Sequence, residues 1–226
     1  MAEQLNKWLP NVMEKLPELW ECTVQTLYMT ALAGSIAFVI GLILGIVLIV
    51  TKRGGIMENV VLYGGLDKVI NLFRSIPFII LLTSLIPLTR LVVGSAIGTK
   101  GAIIPLIFGT VPFFSRQVET ALAEVGDGLV ETAQAMGTSN IGIIFRVYLK
   151  ESIPGLARGT TITAVSLVGL TAMAGAIGGG GLGDFAIRYG HQRNQADVTF
   201  VTVLVLLIIV MAFQELGNII IKKSTH

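Results

Sequence analysis

Charge is scarce in this chain. Asp, Glu, Lys and Arg make up 13% of its 226 residues, about half of the ~25% usual in a soluble domain. A water-soluble fold of this size needs more charge to cover its surface, so a soluble globular domain is excluded. Cys22 is the single cysteine, which excludes an internal disulfide and any metal cluster or redox pair built on thiols. Histidine is limited to His191 and His226, too few for a His-rich metal site. No Gly-x4-Gly-Lys-Ser/Thr stretch occurs, so the chain cannot split ATP with a P-loop of its own. Gly-x-Ser-x-Gly is missing as well, and His191 has no evident catalytic partner. We therefore assign no catalytic residue, no metal and no cofactor, and expect no nucleic-acid partner. Ionisable residues deep in a membrane span mark ion or proton routes; none falls near a span centre here, against a proton- or sodium-coupled carrier.

Hydrophobic residues are plentiful, at 53% with a mean hydropathy of +0.80. Leu27 to Val50 carries no charge, and at ~1.5 Å per residue it is long enough to cross a ~30 Å hydrocarbon core. Further spans are predicted over 70–89, 101–122, 156–177 and 198–221, giving an all-α polytopic membrane protein with five transmembrane helices. Pro77 and Pro87 should kink the second span. Residues 1–26 mix Lys7, Glu14, Lys15, Glu18 and Glu21 with Leu and Trp. They lack the layout of a cleaved signal peptide and read as an amphipathic surface segment anchored by Trp8 and Trp20. Asp184, Arg188, His191, Arg193 and Asp197 are expected in a polar loop between the last two spans. Residues 222–226 are expected to form a short tail.

Five spans put the termini on opposite sides. With the N-terminus outside, ten of the sixteen Lys and Arg residues face inward, among them Lys52, Arg53, Lys222 and Lys223. The excess of inward positive charge favours this orientation. It places the one long polar stretch, 123–155, in the cytoplasm. Within it, Asp127 can cap a short helix whose apolar stripe is Leu129, Val130, Ala133 and Met136. Gly137 sits where a left-handed glycine ends a helix. Ser139 can cap a second helix with an apolar face of Ile141, Ile144, Phe145 and Tyr148. Residues 127–154 thus predict helix, sharp corner, helix. The tip presents Ala135, Met136 and Gly137, suited either to a partner's groove, since Met adapts to irregular surfaces, or to an ordinary loop on the membrane surface.

Two glycine patterns stand out. Gly178-x-Gly180-x-x-Gly183 matches a dinucleotide fingerprint in form, but that fingerprint needs a preceding strand and a span precedes it here. Gly178, Gly179, Gly180, Gly181 and Gly183 are read as a packing corner or a flexible outer gate. Gly41 and Gly45 form a GxxxG pair, read either as a close helix contact or as the ordinary glycine content of membrane helices.

Glu131, Ala133 and Gly137, followed by Val147 and Leu149, resemble the EAA motif of ATP-binding-cassette importer permeases. Thr132 stands in place of an Ala and Lys150 in place of a Pro; Pro154 is the candidate substitute. The likeness runs over roughly 20–217. Residues 73–82, 131–137, 154–156 and 178–183 resemble, within that family, the permeases of bacterial methionine importers. The resemblance implies a type I importer permease in the bacterial inner membrane, and a coupling segment at Glu131, Ala133, Ala135, Met136 and Gly137 that docks on the ATPase. It implies as partners two copies of an ATP-binding-cassette ATPase subunit, an extracytoplasmic substrate-binding protein, a second copy of this chain and the lipid bilayer. It also implies an amino acid, methionine, as cargo moved by alternating access. A permease for another small solute, a carrier or channel without an ATPase, and a membrane enzyme or scaffold are the rival readings.

Overall fold

The computed structural model describes residues 8–224. Residues 1–7 and 225–226, which hold the start of the predicted N-terminal segment and the end of the predicted tail, lie outside the described residues. The described chain is helical, without a strand. In order, α1 spans Pro10–Glu14, α2 Leu16–Thr51, α3 Val60–Ser75, α4 Phe78–Ser84, α5 Ile86–Val93, α6 Gly98–Ala123, α7 Asp127–Ala135, α8 the residues 140–151, α9 Ile153–Gly175, α10 Gly181–Phe185 and α11 Ala196–Ser224.

Four of these, α2, α6, α9 and α11, are long and apolar enough to cross a membrane. The α2 helix has 36 residues, about 54 Å of rise. It begins at Leu16 rather than at the predicted Leu27, because Glu18 and Glu21 continue the helix with no breaker between them. The predicted second span is not one kinked helix. Ile76 is extended, with ψ 123°, as a residue before proline prefers to be, and α3 ends there. Pro77 opens α4, and Leu85 separates α4 from α5. Pro87 lies in the first turn of α5, where its missing N–H costs nothing. The segment expected as a polar loop after the glycine run is helical: α10 passes directly into a wide π-helical turn over Ala186–His191.

Three buried hydroxyls in the apolar helices are satisfied locally. Thr26, Thr30 and Thr202 are buried and donate to the carbonyl four residues back, at 3.0, 2.8 and 2.7 Å. This lets a polar side chain sit in an apolar helix without an unpaired group.

The chain divides into two compact units. The first takes Met1–Gly34, Pro77–Ile107 and Ala164–Phe213; the second takes Ser35–Ile76, Phe108–Thr163 and Gln214–His226. The first unit has two apolar clusters, one around Leu19, Cys22, Leu182 and Phe185, the other around Met29, Leu82, Leu106 and Leu167. The second unit has one, in which Phe114, Val118 and Leu122 of α6 meet Ile49 of α2, Val130 and Ala133 of α7, and Ile143 and Tyr148 of α8.

Candidate functional site

The second unit builds an elbow between α6 and α9. The α6 helix stops at Ala123, and Gly126 precedes α7 with no side-chain cap. Asp127 is therefore not the predicted cap but the first helical residue, where its negative charge meets the positive end of the helix dipole. At the far end of α7, Gly137 has φ +74°. Its N–H donates to the Gln134 carbonyl at 2.9 Å, and the Thr138 N–H donates to the Ala133 carbonyl at 3.0 Å. These two bonds form a Schellman closure, which turns the chain sharply while satisfying the last carbonyls. The Ser139 hydroxyl accepts from the Gly142 N–H at 3.2 Å and starts α8.

α8 is not a uniform helix. Residues Ile144–Tyr148 form a π-helical turn, which inserts an extra residue and shifts the periodic phase. The buried residues of the elbow are Val130, Ala133, Ile143 and Tyr148. Leu129, Ile141 and Phe145 of the apolar stripes are 52, 69 and 65% exposed, and Met136, expected at the tip, is 75% exposed. Glu131, Ala135 and Gly137 are exposed with them, and Ala133 is buried. Burial pushes the Tyr148 hydroxyl above the usual tyrosine range, and Asp127 adds to it.

Lys150, standing where the importer motif has proline, lies in helix, and α8 passes into α9 at Ser152. Pro154 is the second residue of α9, where a proline needs no donor. The Ser152 hydroxyl donates to the Ala121 carbonyl at 3.0 Å, tying the exit of the elbow to the last turn of α6.

Gly41 and Gly45 let α2 approach α6. A Cβ on Gly41 would lie 2.8 Å from the Phe114 ring, and one on Gly45 2.5 Å from Val118. In the first unit the glycine run is a packed corner. Gly178, Gly180 and Gly181 have φ of +88, +75 and +74°. Gly179, Gly181 and Gly183 are buried, and a Cβ on Gly183 would meet the Ala172 carbonyl at 2.2 Å. The first amides of α10 are capped from another helix. Gln25 Oε1 accepts from the Gly181 N–H and Thr26 Oγ1 from the Leu182 N–H, each at 2.9 Å. The sequence reading missed both residues. It also missed the ionic group of this unit, in which Arg188 bridges Glu18 and Asp184 at 2.9 and 2.8 Å while the Tyr189 hydroxyl donates to Glu18 at 2.7 Å. Contacts across more than 150 positions leave no local signature. Among the described residues, no group of His, Cys, Asp and Glu is arranged to hold a metal ion.

Comparison with known proteins identifies the family. Residues 37–222 match the family of binding-protein-dependent transport system inner membrane components. The chain belongs to that family. Among the similar relatives of this inner membrane component is the probable D-methionine transport system permease protein MetI of Vibrio cholerae, 46% identical over 208 residues, 92% of either chain. Another is the methionine import system permease protein MetP of Bacillus subtilis, 47% identical over 214 residues, 95% of this chain and 96% of that one. A solved structure of the MetNI methionine ABC transporter in an inward-facing conformation superposes with a TM-score of 0.92 at 43% identity, covering 94% of this chain and 99% of that one. An amino acid ABC transporter at 15% identity and a TM-score of 0.78 shares the fold. The chain is thus a multi-pass inner-membrane permease subunit of the ATP-binding-cassette class, with a type I importer fold.

Proposed function

We propose that this permease carries methionine into the cell as a pair of identical copies, driven by two ATPase subunits that grip the elbow at Glu131–Gly137. The observation that carries the coupling role is the elbow itself. Two short helices meet at a left-handed glycine, and Leu129, Met136, Ile141 and Phe145 are exposed around it. Apolar side chains grouped at a protruding corner suit burial in a groove on another protein, and Met136 at the tip adapts to such a groove. The cargo rests on relatives about equally similar along nearly the whole chain, all named for methionine transport.

In this reading the N-terminus faces outward and the C-terminus the cytoplasm, in keeping with the inward excess of Lys and Arg. ATP is split on the partner subunit, and this chain performs no chemistry of its own. Nucleotide-driven closure of the ATPase pair displaces the two elbows. The path switches from inward- to outward-facing, and an extracytoplasmic binding protein delivers methionine into it. The packing around Gly178–Gly183 supports a role as a rigid corner closing α9 rather than as a flexible gate. The short approach at Gly41 and Gly45 supports a fixed contact between α2 and α6.

Two measurements test this reading. Purification of the tagged chain with its ATPase candidates should recover both, and the complex in liposomes with the binding protein should take up labelled methionine only with ATP. Unlabelled methionine should compete, whereas other amino acids should not. Uptake by the chain alone, or competition by an unrelated amino acid, overturns respectively the coupling and the cargo.

A further inference from the structure

The α3 helix is held within its unit with little apolar packing. Of its 16 residues only Ile70 is buried, although the Phe73 ring does contact that of Phe108 at 5.6 Å. Val61, Val69 and Leu72 are exposed. Its main tie is polar, and it centres on Arg116 of α6. Arg116 Nη2 donates to Asp67 Oδ1 and, at 3.2 Å, to Asn71 Oδ1, both on α3. Arg116 Nη1 donates to Glu119 Oε2 at 2.6 Å, and the Tyr63 hydroxyl of α3 donates to Glu119 Oε1 at 3.4 Å. The Arg116 side chain is 17% exposed. Glu119, three residues on along the same helix, aims the guanidinium, so that its other fork is presented to α3 already oriented.

The position of this tie gives it a role. Arg116 stands little more than a turn before Ala121, the residue that receives the Ser152 hydroxyl at the exit of the elbow. A displacement of the elbow therefore reaches Arg116 through one uninterrupted helix. On the other side, α3 ends at the extended Ile76, and the broken segment of α4 and α5 follows.

We propose that Arg116 is a positioning residue for transport: through Asp67 it makes α3 follow α6, so that movement at the elbow is passed to α3. The inference rests on the importer reading above, and its test separates the two.

The complete complex of permease, ATPase subunits and binding protein is reconstituted in liposomes, with ATP hydrolysis and labelled methionine uptake measured in the same vesicles. Arg116→Gln and Asp67→Asn are expected to lower uptake per ATP by at least about fivefold while the amount of assembled complex and its hydrolysis persist. The exchange of Asp67→Arg with Arg116→Asp is expected to recover most of the ratio, and Arg116→Lys to keep more of it than Arg116→Gln. A residue that merely stabilises the fold would lower assembly, hydrolysis and uptake together and leave the ratio unchanged; that result overturns the proposal, as does an unaltered ratio in Arg116→Gln. A wild-type complex without ATP-dependent methionine uptake refutes the importer reading instead. Spin labels at the exposed Val69 and Thr120, in a Cys22→Ser background, read the tie without any cargo. One narrow distance distribution that broadens in Arg116→Gln is expected, and a distribution indifferent to Arg116→Gln overturns the proposal on its own.

Discussion

Gly137 and Gly183 are both glycines, for different physical reasons. Around Gly137 a Cβ would meet nothing within 4 Å, but its φ is +74°. A side chain there costs left-handed strain of about 1–2 kcal/mol, so Gly137→Ala should weaken the corner without removing it. Gly137→Pro is more severe, because its ring forces φ to about −65° and deletes the N–H bonded to Gln134. We expect it to insert and assemble while ATP hydrolysis loses its link to uptake, as read by uptake per ATP in liposomes. At Gly183 the backbone is unstrained, and the obstacle is the Ala172 carbonyl 2.2 Å from a Cβ. Backbone cannot swing aside as a side chain can, so Gly183→Ala should cost about 3 kcal/mol, the upper end of overpacking effects. Gly178→Ala, with φ +88° and open space around it, should cost only the left-handed strain. Thermal melts of the two variants in detergent test the order, and equal Tm values would refute it. A run of glycines looks alike in sequence; which member is crowded and which is merely left-handed depends on α2 and α9, whose approach no local pattern records.

Tyr189 gives a pH effect at the same scale. Its hydrogen bond to Glu18 raises the hydroxyl above the usual range of tyrosine, with burial adding to it. A raised folded value means that the contact stabilises fully below the unfolded value of about 10 and is lost as pH rises through the folded one. The contribution of Tyr189 should therefore be constant across neutral pH, and stability should fall on an alkaline limb above about pH 10, which Tyr189→Phe flattens. Tm measured against pH for the two proteins checks this.

At the scale of the element, the elbow shows both the reach and the limit of periodicity. Helix, glycine corner and helix were legible because Gly137 and Ser139 are local signals with local consequences. The buried face was legible only in part: Val130, Ala133 and Tyr148 of the predicted stripes are buried. The π-helical turn at Ile144–Tyr148 inserts an extra residue, and the face counted from Ile141 is split: Ile141 and Phe145 are exposed while Tyr148 is buried. Ile143, fully buried, lay outside the predicted face. The result bears on function, since Leu129, Ile141 and Phe145 face out beside Met136 at the tip. Met136→Lys and Phe145→Ser should each weaken capture of the ATPase subunit by about 2 kcal/mol, the scale of an interface hot spot. Both positions are exposed in this chain, so the Tm of the permease alone should not change. Undiminished capture by the double variant would count against docking here. The second predicted span is divided rather than kinked. Its hydropathy was read correctly, but Pro77 and the extended Ile76 divide it into pieces that hydropathy alone cannot separate.

For the whole molecule, charge scarcity and apolar run length were enough to establish a polytopic helical membrane protein, because a bilayer constrains composition more strongly than any core does. The assembly was not legible in the same way, since partners leave only exposed patches behind. The proposal of two copies, each with one elbow, has a consequence that one chain cannot show. When equal amounts of wild-type and Gly137→Pro permease are made in the same cell, random pairing gives a C2 dimer two intact elbows in about a quarter of assemblies. If both elbows must move for the path to switch, uptake should fall to about a quarter of that given by the same total of wild type, and the mixed dimers should still hydrolyse ATP. If each copy transported alone, uptake would fall only to about a half. Quantifying the two chains by distinct tags, and uptake at several ratios, separates a squared dependence on the wild-type fraction from a linear one. A linear dependence would mean that a single elbow suffices, and with it the paired mechanism would fail.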